Sequence, residues 1–125
     1  MISHVSLGTN DADRAAAFYD PVLAVLGMRK LQEREGSLDY GTSMMFFSLE
    51  KPADCAPASV GNGVHVAFSA ETRAMVDEFY RVALAHGGSD AGAPGLRPEY
   101  DAHYYGAFVR DPDGNKIEAV SFAEK

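Results

Sequence analysis

The chain is poor in cysteine: among 125 residues only Cys55 carries a thiol. A single thiol cannot close an internal disulfide, and it fits a reducing cytoplasm. Cys55 sits in a Pro/Ala-rich stretch, and no chemical role is expected of it. No apolar run approaches the ~20 residues of a membrane-spanning helix, so no membrane partner is expected. The start, Met1-Ile2-Ser3-His4, has neither the basic segment nor the apolar core of a secretion signal. Basic residues are also in deficit, with 11 Lys and Arg against 18 Asp and Glu, a net charge of −7. An acidic chain repels phosphate backbones, so nucleic acid is not an expected partner. What is present is apolar sequence, 46% of the residues. That is too much for a disordered chain, and enough for one compact domain or two very small fused units.

The apolar sequence is organised as a repeat. Residues 4–27 align on 65–88 with a constant offset of 61 and no gap, and seven positions are identical. His4-Val5 meets His65-Val66, and Phe18-Tyr19 meets Phe79-Tyr80. Leu23-Ala24 meets Leu84-Ala85, and Gly27 meets Gly88. Each copy begins as a strand. Val5 and Leu7 alternate with His4 and Ser6, and Val66 and Phe68 alternate with His65 and Ala67, so each histidine lies on the face opposite the bulky residues.

A helix follows each strand. Ala15, Phe18, Tyr19, Val22 and Leu23 form one apolar stripe, and Val76, Phe79, Tyr80, Ala83 and Leu84 form the other. Asn10 is the expected cap of the first helix, and Ser69 or Thr72 of the second. Gly27 and Gly88 suit the helix exits, and Pro21 is expected to kink or divide the first helix. Strand-like runs come next, at 28–34, 37–42 and 44–50 in the first copy and at 103–110 and 115–122 in the second. Between helix and strands the second copy reads as a weak strand and a loop over 89–102. Asp111-Pro112-Asp113-Gly114 reads as a type I turn. The expected fold is α+β: tandem βαβββ units over 1–52 and 63–125, joined by a linker at 53–62, pairing into a cup-shaped mixed sheet. Together the units make one structural domain.

The repeat makes the histidines informative. Pseudo-twofold packing would bring His4 and His65 together, and Glu118 follows the hairpin turn on the last strand. Two imidazoles and a carboxylate form a facial triad that leaves positions open for substrate on a divalent Mn, Fe, Ni, Co or Zn ion. The segment Gly92–Tyr100, followed by His103-Tyr104-Tyr105, should cover the cup. Arg97 could hold a carboxylate. Tyr100, Tyr104, Tyr105, Phe47 and Phe108 are the aromatic candidates for the substrate wall, although Tyr104 and Tyr105 alternate and only one can face the cup. Glu118, Glu99 and His103 are the candidates to move a proton. His86 reads as a helix-end residue without a chemical role.

These features resemble the vicinal oxygen chelate superfamily, which includes glyoxalase I, bleomycin-resistance proteins, fosfomycin-resistance transferases and extradiol dioxygenases. The resemblance spans the chain. It is carried by Ile2-Ser3-His4-Val5, Phe18-Tyr19, Gly63-Val64-His65-Val66 and above all Asp111-Pro112-Asp113-Gly114-Asn115-Lys116-Ile117-Glu118. It implies a glyoxalase/dioxygenase-like fold, with His4, His65 and Glu118 on the metal-binding positions. Glyoxalase I takes a fourth ligand from the last strand of the first unit, where this chain offers only Ser48. Extradiol enzymes carry a tyrosine where Phe108 stands and an acid–base histidine near Glu99 and His103. Fosfomycin transferases surround a phosphonate with basic groups, against which this chain sets Arg97, Arg110 and Lys116. The expected function is a small metal-dependent lyase or isomerase that chelates vicinal oxygens of a small molecule. A metal-free binding protein of the bleomycin-resistance type and an extradiol-type dioxygenase are the alternatives. A homodimer sharing its metal sites is expected, because one βαβββ unit leaves an open sheet edge.

Overall fold

The computed structural model describes residues 1–125. The first copy runs β1 Val5–Gly8, α1 Ala12–Val25, β2 Arg29–Arg34, β3 Ser37–Gly41 and β4 Met45–Glu50. The second runs β5 His65–Ser69, α2 Arg73–Ala85, β6 Ser89–Leu96, β7 Tyr105–Arg110 and β8 Lys116–Ser121. This is βαβββ twice, an α+β fold. Each copy forms its own four-stranded sheet, in the orders β1-β4-β3-β2 and β5-β8-β7-β6. The first strand of each copy pairs parallel with the last, and the other pairs are antiparallel, so both sheets are mixed. No helix is long and apolar enough to cross a membrane.

Helix α1 buries Ala15, Ala16, Phe18, Tyr19, Val22 and Leu23, the stripe that its spacing dictates. It begins one residue later than expected. Asp11 is the cap, and its side chain accepts from the Arg14 amide at 3.0 Å. Asn10 instead ties down the linker, accepting from the Ala58 amide at 2.7 Å. Pro21 does not divide the helix, which runs through it to Val25. Proline removes one backbone donor there, and the buried side chains on either side hold the segment helical. Helix α2 is capped by Thr72 and buries Val76, Phe79, Val82 and Ala83. Leu84, expected inside, is 40% exposed, because the buried stripe turns toward Val82. The left-handed residue after α2 is Gly87 (φ 99°), not Gly88. Gly88 is confined for another reason. A Cβ there would stand 2.7 Å from the Phe18 ring and 2.8 Å from the Ala83 carbonyl.

The largest departure from expectation is β6. Residues 89–96 form a strand that pairs with β7 through two register shifts, at Asp90/Gly92 and Gly92/Gly95. Its Gly/Ala/Pro composition carries no strand pattern, and pairing with its neighbour makes it a strand.

One core joins the copies. Phe18 and Tyr19 of α1, Phe47 of β4, Phe68 of β5 and Phe79 of α2 belong to a single cluster of 21 buried residues. The hairpin between β7 and β8 fastens it. The buried Asp111 carboxylate accepts from the amides of Asp113 and Asn115, the Asn115 side chain and the Tyr19 hydroxyl, the last at 2.6 Å. Asn115 donates in turn to the Gly8 carbonyl at 2.9 Å. The Asp113 carboxylate takes the Thr9 hydroxyl, the Asn10 amide and the Arg14 guanidinium at 2.6, 2.9 and 2.8 Å. A negative charge at the start of α1 also suits the helix dipole. The hairpin thus clamps the second copy onto the start of the first.

Candidate functional site

Alternation places the chemistry on the sheet faces turned away from the helices. In β8, Ile117 and Ala119 point into the core, so Glu118 points to the other face. There its carboxylate is fully buried and has two partners. His65 Nε2 lies 3.2 Å from Oε1, and the Tyr104 hydroxyl donates a short hydrogen bond to Oε2. His65 arrives from the start of β5, next to β8, and is itself half-exposed. Loss of hydration raises the Tyr104 phenol well above its ordinary pKa, and the bond to Glu118 adds to the shift. It is therefore a neutral donor at physiological pH.

These groups form one side of a cavity of about 590 Å³ that Arg97, Tyr100, Phe108 and Lys116 also line. Phe108 sits opposite Glu118 in the ladder, and its ring packs edge-on to His65 at 5.9 Å. Tyr100 packs edge-on to Tyr104, with ring centroids 5.0 Å apart. Tyr105 faces the other way, and its hydroxyl donates to Asp77 of α2 at 2.6 Å. It packs the helix and does not wall the cavity. Glu99 and His103 are exposed in the loop between β6 and β7 and do not line the cavity. Phe47, expected as a substrate contact, lies in the core at 1% exposure against Tyr19 and Phe68. It is Phe46 that points away from the helix, because Phe47 and Leu49 take the buried face of β4.

His4 is placed elsewhere. It is exposed just before β1 on the first sheet, beside the Ser3 hydroxyl at 3.2 Å. No group of three or more His, Cys, Asp or Glu side chains within one chain could hold a metal ion. The chain by itself brings together His65 and Glu118 and leaves His4 apart.

The ladder shows what the first copy offers in the corresponding place. Ser6 pairs with Ser48, and its repeat mate Ala67 pairs with Glu118, so Ser48 stands where Glu118 does. Ser48 shares a hydrogen bond of 2.9 Å with Ser6. Opposite Ser48 is Asp39, the counterpart of Phe108. Asp39 is 5% exposed; its Oδ2 accepts from Arg34 at 2.9 Å, and its Oδ1 has no partner. Sequence reasoning missed this residue. Its only signal was a carboxylate between two core positions, Leu38 and Tyr40.

The family model described as Glyoxalase/Bleomycin resistance protein/Dioxygenase superfamily matches residues 1–119. The chain is similar to a glyoxalase/bleomycin resistance protein from Albidiferax ferrireducens T118, at 34% identity and a TM-score of 0.89, covering 97% of this chain and 98% of that one. A glyoxalase-related enzyme from Fulvimarina pelagi shares the fold at 19% identity and a TM-score of 0.76, with 97% and 87% covered. A lactoylglutathione lyase from Agrobacterium tumefaciens does so at 24% and 0.67, with 97% and 92% covered. No curated protein matches.

Proposed function

Because the chain belongs to the Glyoxalase/Bleomycin resistance protein/Dioxygenase superfamily, we propose that it is a small metal-dependent enzyme of lyase or isomerase type acting on a small oxygenated molecule. His65 and Glu118 of one chain and His4 of a second copy would hold the metal. The observation that carries this reading is the contact of His65 Nε2 with a fully buried Glu118 carboxylate at the cavity wall. A buried carboxylate is costly unless an opposite charge compensates it, and no lysine or arginine is paired with this one. A divalent ion supplies that charge. Imidazole nitrogen and carboxylate oxygen together suit Mn, Fe, Ni, Co or Zn. One chain provides two donors, so the residues fit a half-site that needs His4 from elsewhere.

When bound, the ion supplies Lewis-acid polarisation of the substrate's oxygens. The chain's own groups do the rest. Glu118 is the group to take and return a proton, since it faces the cavity and Glu99 and His103 do not. Tyr104 fixes the orientation of the Glu118 carboxylate and stays protonated while doing so. Phe108 stands beside the carboxylate as its cross-strand neighbour. The rival reading is metal-free binding of a small molecule, which the presence of only two donors per chain favours. Elemental analysis of untagged protein purified without chelators separates the two. We expect about one divalent ion per chain, lost in His65→Ala while the far-UV spectrum is unchanged. If calorimetry finds no divalent ion bound tighter than millimolar, the metal-free reading replaces this one.

A further inference from the structure

Two buried side-chain polar atoms of the chain have no hydrogen-bond partner. One, Arg73 Nε, belongs to a guanidinium that lies over the Tyr105 ring at 5.3 Å. The other, Asp39 Oδ1, has no such neighbour to account for it. A buried carboxylate oxygen without a donor is costly, so a donor from outside the chain, water or ligand, must complete it. Glu118, the carboxylate in the equivalent sheet of the second copy, has partners on both oxygens.

Asp39 is one of a row. Ser6 pairs with Ser48, Ser48 with Asp39, and Asp39 with Gln32. One residue from each strand of the first sheet thus stands side by side on the face turned away from α1, and all four are polar. The corresponding row of the second sheet, Ala67, Glu118, Phe108 and Gly92, has a single polar member. Polar residues on an outer sheet face are ordinary, but their depth here is not. Ser48 is fully buried and Asp39 is 5% exposed, while Ser6, Gln32, Arg34 and Glu50 around them are exposed. The row has a sunken polar floor between exposed side chains. Its members are tied together: Ser6 and Ser48 share a hydrogen bond of 2.9 Å, Ser48 donates to Glu50 Oε1 at 3.4 Å, and Arg34 Nη2 donates to Asp39 Oδ2 at 2.9 Å. Arg34 thereby meets the charge of Asp39 and leaves only the hydrogen-bonding need of Oδ1.

That decides the class of ligand. An ammonium group would bring a second cation to a carboxylate already paired, and it offers donors only. Serine hydroxyls and the glutamine amide both donate and accept, so they are matched by groups that do both, which are hydroxyls. We infer that Ser6, Ser48, Asp39 and Gln32 form a polyol subsite, in which adjacent hydroxyls of a ligand lie along the row and one of them donates to Asp39 Oδ1. Entry displaces exposed side chains of β2, the edge strand of this sheet. The inference deepens the proposed reading, since a shared cup would set this row opposite Glu118 and the substrate would be polyhydroxylated. The row itself lies within one chain and needs no metal.

Amide NMR spectra of metal-free protein in EDTA test it. Erythritol is the probe, dimethoxyethane the analogue whose oxygens carry no proton, and methylammonium the rival cation. We expect erythritol to shift the amides of Ser6, Gln32, Asp39 and Ser48 saturably, and the other two compounds not to. Asp39→Asn leaves an N–H where Oδ1 was, because Arg34 would hold the amide oxygen. Asp39→Asn and Ser48→Ala should each weaken erythritol by about tenfold or more, with the far-UV spectrum unchanged. Arg34→Gln should not weaken it, because Oδ1 is untouched. Should Asp39→Asn fail to fold, Ser48→Ala and Arg34→Gln decide. Equal losses in Arg34→Gln and Asp39→Asn would overturn the inference, since Asp39 would then act only by holding Arg34. So would equal shifts with dimethoxyethane, binding of methylammonium in place of erythritol, or no saturable shift, which would leave Oδ1 to water. Erythritol that binds only with a divalent ion present, and ignores Asp39→Asn, sits on the metal; the proposed function then survives and the subsite does not. Erythritol binding in a protein that takes up no metal keeps the subsite and removes the metal chemistry.

Discussion

At the scale of single residues, neighbours in sequence have opposite fates. Phe46 and Phe47 are adjacent, yet Phe47 is buried among Tyr19 and Phe68 and Phe46 is 37% exposed. Phe47→Ala should therefore lower unfolding stability by about 3–5 kcal/mol, and Phe46→Ala by less than about 1 kcal/mol. Chemical denaturation of the two variants checks this, and equal losses would place both rings wrongly. Tyr104 and Tyr105 divide in the same way, one bonded to Glu118 and the other to Asp77. Tyr104→Phe removes the donor that orients a proposed metal ligand. Metal affinity should drop by about tenfold or more with the fold intact, the usual loss for a group that positions a ligand. Isothermal titration with the divalent ion measures it, and wild-type affinity would mean that the hydroxyl has no such role.

At the scale of elements, the hairpin Asp111–Asn115 binds the two copies together. Asp113 meets three donors of the first copy, at Thr9, Asn10 and Arg14. Asp113→Ala should cost about 1–3 kcal/mol, since it removes at once the shared acceptor of a buried hydroxyl, a backbone amide and a half-exposed arginine. Urea unfolding is the measurement. Asp111 faces Tyr19, whose phenol is raised above its ordinary value of 10.0 by burial and then by the adjacent carboxylate. A raised folded-state pKa means that the fold favours the neutral phenol. Its contribution is therefore complete below pH 10 and is lost as pH climbs above it. Stability should fall by roughly 1.4 kcal/mol per pH unit for each such tyrosine once past that value. Tyr40, raised by burial and by Asp20, adds to the slope. Tyr19→Phe should flatten the alkaline limb of a melting-temperature profile, and an unchanged limb would assign it to other groups.

At the scale of the whole molecule, two facts stand together. The chain closes two separate sheets, and it leaves His4 away from His65 and Glu118. A homodimer in which the first copy of one chain faces the second copy of its partner would reunite the three, and twofold symmetry would complete both sites at once. Ser48 and the part-free Asp39 carboxylate would then face Glu118 across the cup. Co-expression of His4→Ala with Glu118→Ala tests this arrangement. With shared sites, the heterodimer has one doubly damaged site and one intact site, so metal binding returns to about half of the wild-type level. No recovery on mixing would show that each site is built within one chain. The absence of a tyrosine at Phe108 leads to a further expectation at this scale: iron-loaded protein should not open the ring of simple catechols, and oxygen uptake with coloured product would reverse that.

Much of this was legible in residue order because it depends on local spacing. The offset of 61 between the copies, the helical stripe of α1, the alternation that turns Glu118 away from Ile117, and the turn at Asp111–Gly114 are all periodicities of 2 or 3.6 or short-range turn chemistry. Those preferences hold whatever the rest of the chain does. Tertiary structure alone decided the rest. Alternation says that one of Phe46 and Phe47 points inward, but only the position of α1 says which. Composition makes residues 89–96 a loop, but hydrogen bonds from β7 make them a strand, and that strand sets Arg97 on Phe108. Asp11 displaced Asn10 as the cap because the linker claimed the asparagine. Repeat symmetry likens His4 to His65, but symmetry within a sequence does not bring two residues into contact. That depends on which sheet faces meet, and sheet faces meet through apolar burial and sheet-edge pairing between parts of the chain, or between chains, that no local pattern connects.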